Sequence, residues 1–413
     1  MKKVIFTFLY VFTLINISNA QMWNQRLNGR SVWSLAKAPQ PNVIYAGGLT
    51  GANSRIWRSS DLGFSWDTIY TGTGQTMWDI AFDQNANMYV ANFSNGLLKS
   101  TNNGTSFEVI PVSQFNNKNP QGVECGNAGY VYVSTAQGFF MSSNGGANWS
   151  ESATLVGNNC LPIVVDKDSS NIVYVGVTSA GGLGIGFYRS TDFGVTFGAN
   201  LNPGKNGYGI IQLPINGDLY MITTTSPYNF DRSTNKGLSW STVSNAPNAM
   251  RGIAWGVDGF FIGGNGGVFV STSLGMSWSN FNFTSSATPV MYSFPYIYTG
   301  TSGSSGGVWF TSWPLINIQP INNIIPEKYE LKQNYPNPFN PETKIEFSIP
   351  GKTNVRIIVY DSKGSEVAKL LQQELGAGIY SVNFEGKGLN SGIYFYRIET
   401  DKYSEVKKMV LLK

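Results

Sequence analysis

The sequence predicts an all-β protein, a seven-bladed β-propeller followed by a small immunoglobulin-like β-sandwich, and three observations carry that reading. An octapeptide recurs six times, as SSDLGFSW (Ser59–Trp66), STNNGTSF (Ser100–Phe107), SSNGGANW (Ser142–Trp149), STDFGVTF (Ser190–Phe197), STNKGLSW (Ser233–Trp240) and STSLGMSW (Ser271–Trp278). Its glycines, Gly63, Gly104, Gly146, Gly194, Gly237 and Gly275, are separated by 41, 42, 48, 43 and 38 residues. A period of about 42 residues with four short strands in each is the signature of a propeller. After a stretch rich in Pro, Asn and Ile (Pro314–Pro326), the chain turns to charged, alternating segments, which marks a second domain.

Taken in order, the chain begins with Lys2 and Lys3, an apolar run from Val4 to Ile17, and the small residues Ser18, Asn19 and Ala20. This is the pattern of a secretory signal peptide over residues 1–20, cut before Gln21. Gln21 rather than Cys follows the cut, which argues against a lipid anchor. No later stretch reaches the ~20 apolar residues that a bilayer requires, so no transmembrane segment is expected in the mature chain. The remaining boundaries are expected at 21–315 for the propeller, 316–328 for a linker and 329–413 for the sandwich.

Composition narrows the chemistry. The chain holds 47 Gly, 25 Phe, 21 Tyr and 11 Trp, only 13% charged residues and no His. Without His it lacks the commonest metal ligand and the usual general base of Ser and Cys hydrolases. Any catalysis must rest on carboxylates, Tyr or Arg, and neither a metal nor a cofactor is expected. Two cysteines are too few for a disulfide framework. The offset between Cys125, late in the third inner strand, and Cys160, early in the fourth, argues against their pairing. Within the repeats, six Lys and seven Arg balance 13 Asp and Glu. A neutral disc has no electrostatic reason to bind nucleic acid or an anionic membrane.

Each repeat reads as an inner strand, a second strand, a third strand ending in Ser, the octapeptide and a fourth strand. In the second repeat these are Met77 to Phe82, Met88 to Asn92, Gly96 to Ser100 and Phe107 to Ile110. The third residue of the octapeptide, Asp61 or Asp192, can accept backbone N–H groups of the turn, and the glycine two places on can take a positive φ. Asn102, Asn144 and Asn235 keep an acceptor oxygen, and Ser273 keeps a shorter one. Asn148 stands where the other copies have Ser or Thr, and one hydrogen bond fewer is expected there. The aromatics Trp66, Phe107, Trp149, Phe197, Trp240 and Trp278 begin the next strand and pack between sheets. A seventh unit (Val290 to Ser293, Tyr296 to Thr299, Gly307 to Ser312) lacks the octapeptide and a fourth strand. Met22 to Leu27 reads as that missing strand, with Trp23 in the place of Trp66, so the N-terminus is expected to close a seven-membered ring. Six blades is the alternative.

The octapeptide resembles the Asp-box, SxDxGx[ST][WF], found in sialidases, sortilin-type receptors, xyloglucan-active hydrolases and photosystem-assembly propellers. That resemblance implies a structural turn lying away from the ligand face. The C-terminal domain has its own motifs: LKQNYPNPFNPETKIEFSIP (Leu331–Pro350), the strands Gly378–Phe384 and Asn390–Ile398, and the terminal KKMVLLK (Lys407–Lys413). They resemble the type A C-terminal sorting domain of the type IX secretion system. The resemblance implies passage across both membranes of a Gram-negative bacterium, with the type IX machinery as partner of residues 329–413. Release into the medium and attachment to lipopolysaccharide both stay open.

Propellers bind ligands where the inner strands begin and the connecting loops converge. The residues expected there are Arg30, Trp78, Asp79, Gln121, Glu124, Tyr208 and Arg251. Asp79 and Glu124 on successive blades offer a carboxylate pair, and the aromatics offer stacking surfaces for sugar rings. Trp33, Trp78 and Trp255 also read as packing between blades, and Asp79 as a strand cap. A sialidase needs three clamping arginines. Only Arg30 and Arg251 lie at inner-strand starts, whereas Arg55, Arg58, Arg189 and Arg232 lie on third strands, so that activity is disfavoured. No catalytic residue is assigned. The reading that remains is a non-catalytic surface or secreted propeller binding glycan or protein, with a carboxylate-based glycoside hydrolase as the alternative.

Overall fold

The computed structural model describes residues 23–74, 76–179, 185–214, 216–224, 226–256, 259–313, 326–386 and 389–412. The expected signal peptide and most of the expected linker lie outside them. The chain divides into two compact units between Pro314 and Leu315. Both are all-β, apart from two short 3-10 turns at Val112–Phe115 and Gly303–Ser305.

In the first unit the described residues form seven antiparallel sheets. The inner strands are Ser31–Lys37, Met77–Phe82, Pro120–Cys125, Asn159–Val165, Gly207–Gln212, Met250–Gly256 and Val290–Ser293. Each packs against the next in sequence, and the seventh packs against the first, so the sheets surround a central channel as in a propeller. The seventh sheet takes its outer strand from the other end of the unit. Asn24–Arg26 pairs antiparallel with Gly307–Ser312, with Asn24 opposite Phe310 and Arg26 opposite Val308.

The octapeptides set the layers between sheets. Trp66 packs with Trp57 and Tyr298 between the seventh and first sheets, and Phe107, Trp149, Phe197, Trp240 and Trp278 each pack likewise against the sheet before their own. Trp23 follows the same rule without an octapeptide. It packs with Phe281 and Phe283, and its Nε1 donates to the Phe281 carbonyl at 2.9 Å.

One strand departs from expectation. The fourth sheet has three strands among the described residues, because the segment after Phe197 does not form a ladder. Its sequence, GANLNPG, lacks alternation, and it meets the third strand through scattered bonds: Gly198, Leu201 and Gly204 N donate to the Arg189, Phe187 and Ile185 carbonyls at 3.1, 2.9 and 2.9 Å, while Asn200 Oδ1 accepts from Phe187 N at 3.3 Å and its Nδ2 donates to the Ile185 carbonyl at 3.0 Å.

The second unit is a two-sheet sandwich. Glu330–Leu331, Glu342–Ile349 and Gly378–Glu385 form one sheet; Glu366–Leu375, Thr353–Tyr360, Gly392–Thr400 and Ser404–Leu411 form the other. Ile345, Phe347, Ile357, Val359, Tyr396, Ile398, Met409 and Leu411 fill the layer between them. Two strands, Glu330–Leu331 and Glu366–Leu375, were not expected from sequence. The longer one lies at a sheet edge and meets its neighbour through two register shifts, which break the two-residue alternation that would reveal it.

Candidate functional site

The first unit's candidate site is built by β-bulges. Five of the inner strands skip one residue in register near their start: Trp33 between Val32 and Ser34, Trp78 between Met77 and Asp79, Gln121 between Pro120 and Gly122, Tyr208 between Gly207 and Gly209, and Arg251 between Met250 and Gly252. In the fourth inner strand the skipped residues are Leu161 and Pro162. A bulge leaves its extra residue unpaired and re-aims it. Repeated at one register, it places these side chains at the same end of the channel. Some second-strand glycines permit the close approach. A Cβ on Gly48 would stand 1.9 Å from the Ser31 carbonyl oxygen, and one on Gly264 would stand 2.4 Å from that of Ala249.

Two pairs form on this rim. The Trp33 and Trp78 rings lie 5.6 Å apart, and Phe93 is 6.5 Å beyond Trp78. The Arg251 guanidinium lies 5.2 Å over the Tyr208 ring. Trp78 remains 37% exposed, and Arg251 and Arg30 are exposed. Trp33 Nε1 and Gln121 Oε1 are shielded from solvent yet have no hydrogen-bonding partner among the described residues. The rim thus offers aromatic faces, two cations and unused amide and indole groups.

Asp79 and Glu124 lie past the bulges of neighbouring inner strands, close enough that the charge of Asp79 acts on Glu124. Asp79 follows the bulge and spans two sheets: its Oδ2 accepts from Val123 N of the third sheet at 3.1 Å, and its Oδ1 accepts from Ile80 N at 2.9 Å. Burial pushes its carboxyl up to about 6, and those two bonds hold it from rising further. Glu124 sits three residues past the Gln121 bulge, about 10 Å along the strand. It lines two cavities of about 360 and 420 Å³, one against Ile163–Lys167 and Ile210–Gln212, the other against Leu35–Pro39, Ile80–Phe82 and Met291. Most of these stretches are the later parts of inner strands, so Glu124 lies further along the strands than the bulged residues. Both carboxylates keep some solvent-accessible area, but protein crowds them on most sides. Burial first, and the Asp79 charge second, push the Glu124 carboxyl up to about 7 against the lowering effects of Cys125 N and Lys167.

Sequence reasoning missed the polar group beside Glu124. Lys167 Nζ donates to the Gln212 carbonyl at 3.3 Å, and Gln212 Nε2 donates to buried Asp166 at 3.2 Å. Their only sequence signal is the position at or just after the end of an inner strand. Arg55, Arg58, Arg189 and Arg232 lie on third strands, and Arg232 pairs with Asp218 at 2.6 Å. Cys125 and Cys160 are both free thiols. Among the described residues no three His, Cys, Asp or Glu side chains gather as a metal ion would need.

The turns carried by the octapeptides form a second, structural constellation. Asp61 Oδ1 accepts from Ser65 N at 2.9 Å and Ser59 Oγ at 2.7 Å, while its Oδ2 accepts from Ser65 Oγ at 2.6 Å; Asp192 repeats the pattern with Thr196 and Ser190. The opening serine, never singled out from sequence, is buried in all six copies and accepts the glycine N–H, as Ser59 does from Gly63 at 2.7 Å. Two successive residues take positive φ, such as Leu62 at 58° and Gly63 at 86°. At Asn148 only the backbone bond to Asn144 Oδ1 is made.

Residues 333–412 match the secretion system C-terminal sorting domain family. Such a module marks a protein for export to the cell surface or beyond, and no helix among the described residues is long and apolar enough to cross a membrane. No curated protein sequence matches the chain significantly. Similar solved structures include YCF48 bound to D1 peptide, with a TM-score of 0.55, 14% identity, and coverage of 71% of this chain and 97% of that one. Another is PorZ of Porphyromonas gingivalis, described as an essential bacterial surface component of the type-IX secretion system. It gives a TM-score of 0.51 and 14% identity over 91% of this chain, which spans 58% of that protein. A third is the GH74 enzyme of Niastella koreensis, with a TM-score of 0.57, 14% identity, and coverage of 94% and 73%. At such identities the likeness is one of fold.

Proposed function

We propose that this chain is a non-catalytic binding propeller, exported by type IX machinery that reads residues 329–413, which holds a glycan or protein ligand on the rim formed by its inner-strand bulges. In this reading the seven sheets are the blades of one ring over residues 21–315, the octapeptides are Asp-boxes that hold turns, and residues 1–20 are removed as a signal peptide. The carrying observation is the bulge at one register in five inner strands. Bulges are retained where a side chain must be re-aimed, and these deliver Trp33, Trp78, Gln121, Tyr208 and Arg251 to a single end. Aromatic faces with a few polar groups suit sugar rings or peptide side chains.

A carboxylate-based hydrolase is the second reading, favoured by one observation. A carboxyl held at about 7, as Glu124 is, can act as a general acid at neutral pH. Glycoside hydrolysis also needs a second carboxylate across the scissile bond, about 5–10 Å away. The available neighbour, Asp79, is engaged by two backbone N–H groups.

The test places the purified chain and its Trp78→Ala, Arg251→Ala and Glu124→Gln variants on a panel of polysaccharides and peptides, scoring retention and product release together. Retention lost in Trp78→Ala and Arg251→Ala but kept in Glu124→Gln supports rim binding. Product release abolished by Glu124→Gln makes the chain an enzyme instead.

A further inference from the structure

The sorting module contains seven tyrosines, and six have a defined partner. Tyr329 stacks on Tyr403 with ring centres 5.2 Å apart, and Tyr360 receives a hydrogen bond from Arg397 at 2.8 Å. Tyr380, Tyr394 and Tyr396 each donate to a main-chain carbonyl at 2.8 Å. Among the described residues the Tyr335 side chain touches no ring and makes no hydrogen bond, and it stands 82% exposed. It opens the segment Tyr335-Pro336-Asn337-Pro338, all four residues of which are exposed.

The backbone of this segment is pinned at both feet. At one foot Asn334 is buried. Its N–H donates to Tyr396 Oη at 2.8 Å, and its amide donates to the Pro336 carbonyl at 3.0 Å and to Thr343 Oγ1 at 2.9 Å. Tyr335 and Lys344 exchange backbone hydrogen bonds at 2.9 and 3.0 Å. At the other foot Phe339 is buried against Phe384. Its N–H donates to the Val410 carbonyl, and its carbonyl accepts from Leu412 N, both at 2.9 Å. Val410 N donates to Asn337 Oδ1 at 2.9 Å, and Gln333 Nε2 donates to the Lys408 carbonyl at 2.7 Å. The two terminal motifs of the module are therefore zipped to each other, and an arch stands between the anchors.

We propose that the arch Tyr335–Pro338 is the element gripped by the export machinery, and that it fits a groove lined by aromatic side chains that accepts proline rings. The proposal rests on the reading of the module as an export signal. A segment already held at both ends loses little conformational freedom on binding, so more of its contact energy appears as affinity. Its prolines carry no N–H to desolvate, and their rings offer apolar faces for aromatic side chains to pack on. The tyrosine then supplies a large, stiff anchor of the type that dominates interfaces. Nothing within the module explains why this ring alone is left in water.

The test expresses the full chain in a Gram-negative host with a type IX system and compares the exported with the periplasmic fraction. Tyr335→Ala is expected to lower the exported fraction about tenfold, as loss of an interface anchor does, with the thermal midpoint unchanged. Tyr335→Phe keeps the ring and is expected to restore export. Should the alanine variant fail to fold, Tyr335→Gln carries the same expectation. Normal export of a folded Tyr335→Ala chain overturns the proposal while leaving type IX export standing. Equal export of the wild-type chain from a host without the system overturns the export reading itself, and the arch with it.

Discussion

At the residue scale, the octapeptide turns show how a few side-chain hydrogen bonds hold a fold. Desolvation raises the Asp61 carboxyl, but the combined bonds from Ser65, Ser59 and Phe64 outweigh it and leave it below 3.8; Asp192 behaves alike. Asp61→Ala and Asp192→Ala are each expected to cost about 1 kcal/mol in denaturant unfolding, in line with losing a turn-capping side chain. A lowered folded value means that this stability is fully present above 3.8 and is lost as the pH falls through the folded value. Asn148→Ser is expected to restore the missing bond and raise stability by about 0.5 kcal/mol. A second thread runs through tyrosines of the second strands. Tyr45, Tyr89 and Tyr298 donate to the carbonyls of Asn103, Gly145 and Leu62, the fourth residue of the neighbouring sheet's octapeptide. Tyr132 occupies the equivalent place, but its buried hydroxyl has no partner among the described residues. Chemical denaturation should therefore find Tyr45→Phe destabilising by about 1 kcal/mol and Tyr132→Phe neutral or stabilising.

At the scale of elements, strand positions were largely legible because alternation and turn residues report them directly. Met77–Phe82, Met88–Asn92 and Gly96–Ser100 fall where the sequence places them. The bulges were not legible, since a bulge is a relation between two strands, and in so short a strand its one-residue break in alternation reads like any chance mismatch. At two of them a facing glycine is a trace, Gly48 opposite Val32 and Gly264 opposite Met250. Gly48→Ala is expected to lower the unfolding midpoint sharply, because its Cβ would fall 1.9 Å from the Ser31 oxygen and the bulge beside Trp33 would have to move. Binding by the rim should fall with it. Trp23 offers a separate check. Its indole holds the closing strand through Phe281 and Phe283, so Trp23→Ala is expected to cost about 3 kcal/mol in the same measurement, near the low end for an aromatic deletion.

At the scale of the whole molecule, ring closure decides what the channel can hold. Carried round the axis, the inner strands enclose Glu124 among Leu35, Ile80, Ile163, Ile210 and Met291, and this surrounding withdraws water from its carboxyl. Because its folded value of about 7 lies above the ordinary 4.5, the folded chain binds more protons than the unfolded chain between those values. Stability is then expected to fall as the pH rises through that window, and Glu124→Gln should flatten the curve there. A wild-type unfolding midpoint that does not change across the window would show that the channel is wetter than its lining indicates.

The sequence by itself determined the all-β class, the repeat, most strand positions, the closing role of the N-terminal strand and the sorting module. Each depends on hydrogen bonds within a few residues, on alternation along one strand, or on motifs contiguous in the chain. Tertiary structure alone decided which residues face the channel, how far burial raises the Asp79 and Glu124 carboxyls, and that Asp79 bridges two sheets. Register shifts and neighbouring sheets set those outcomes, and a one-residue bulge turns a side chain from one side of a strand to another with only a single break in alternation to mark it.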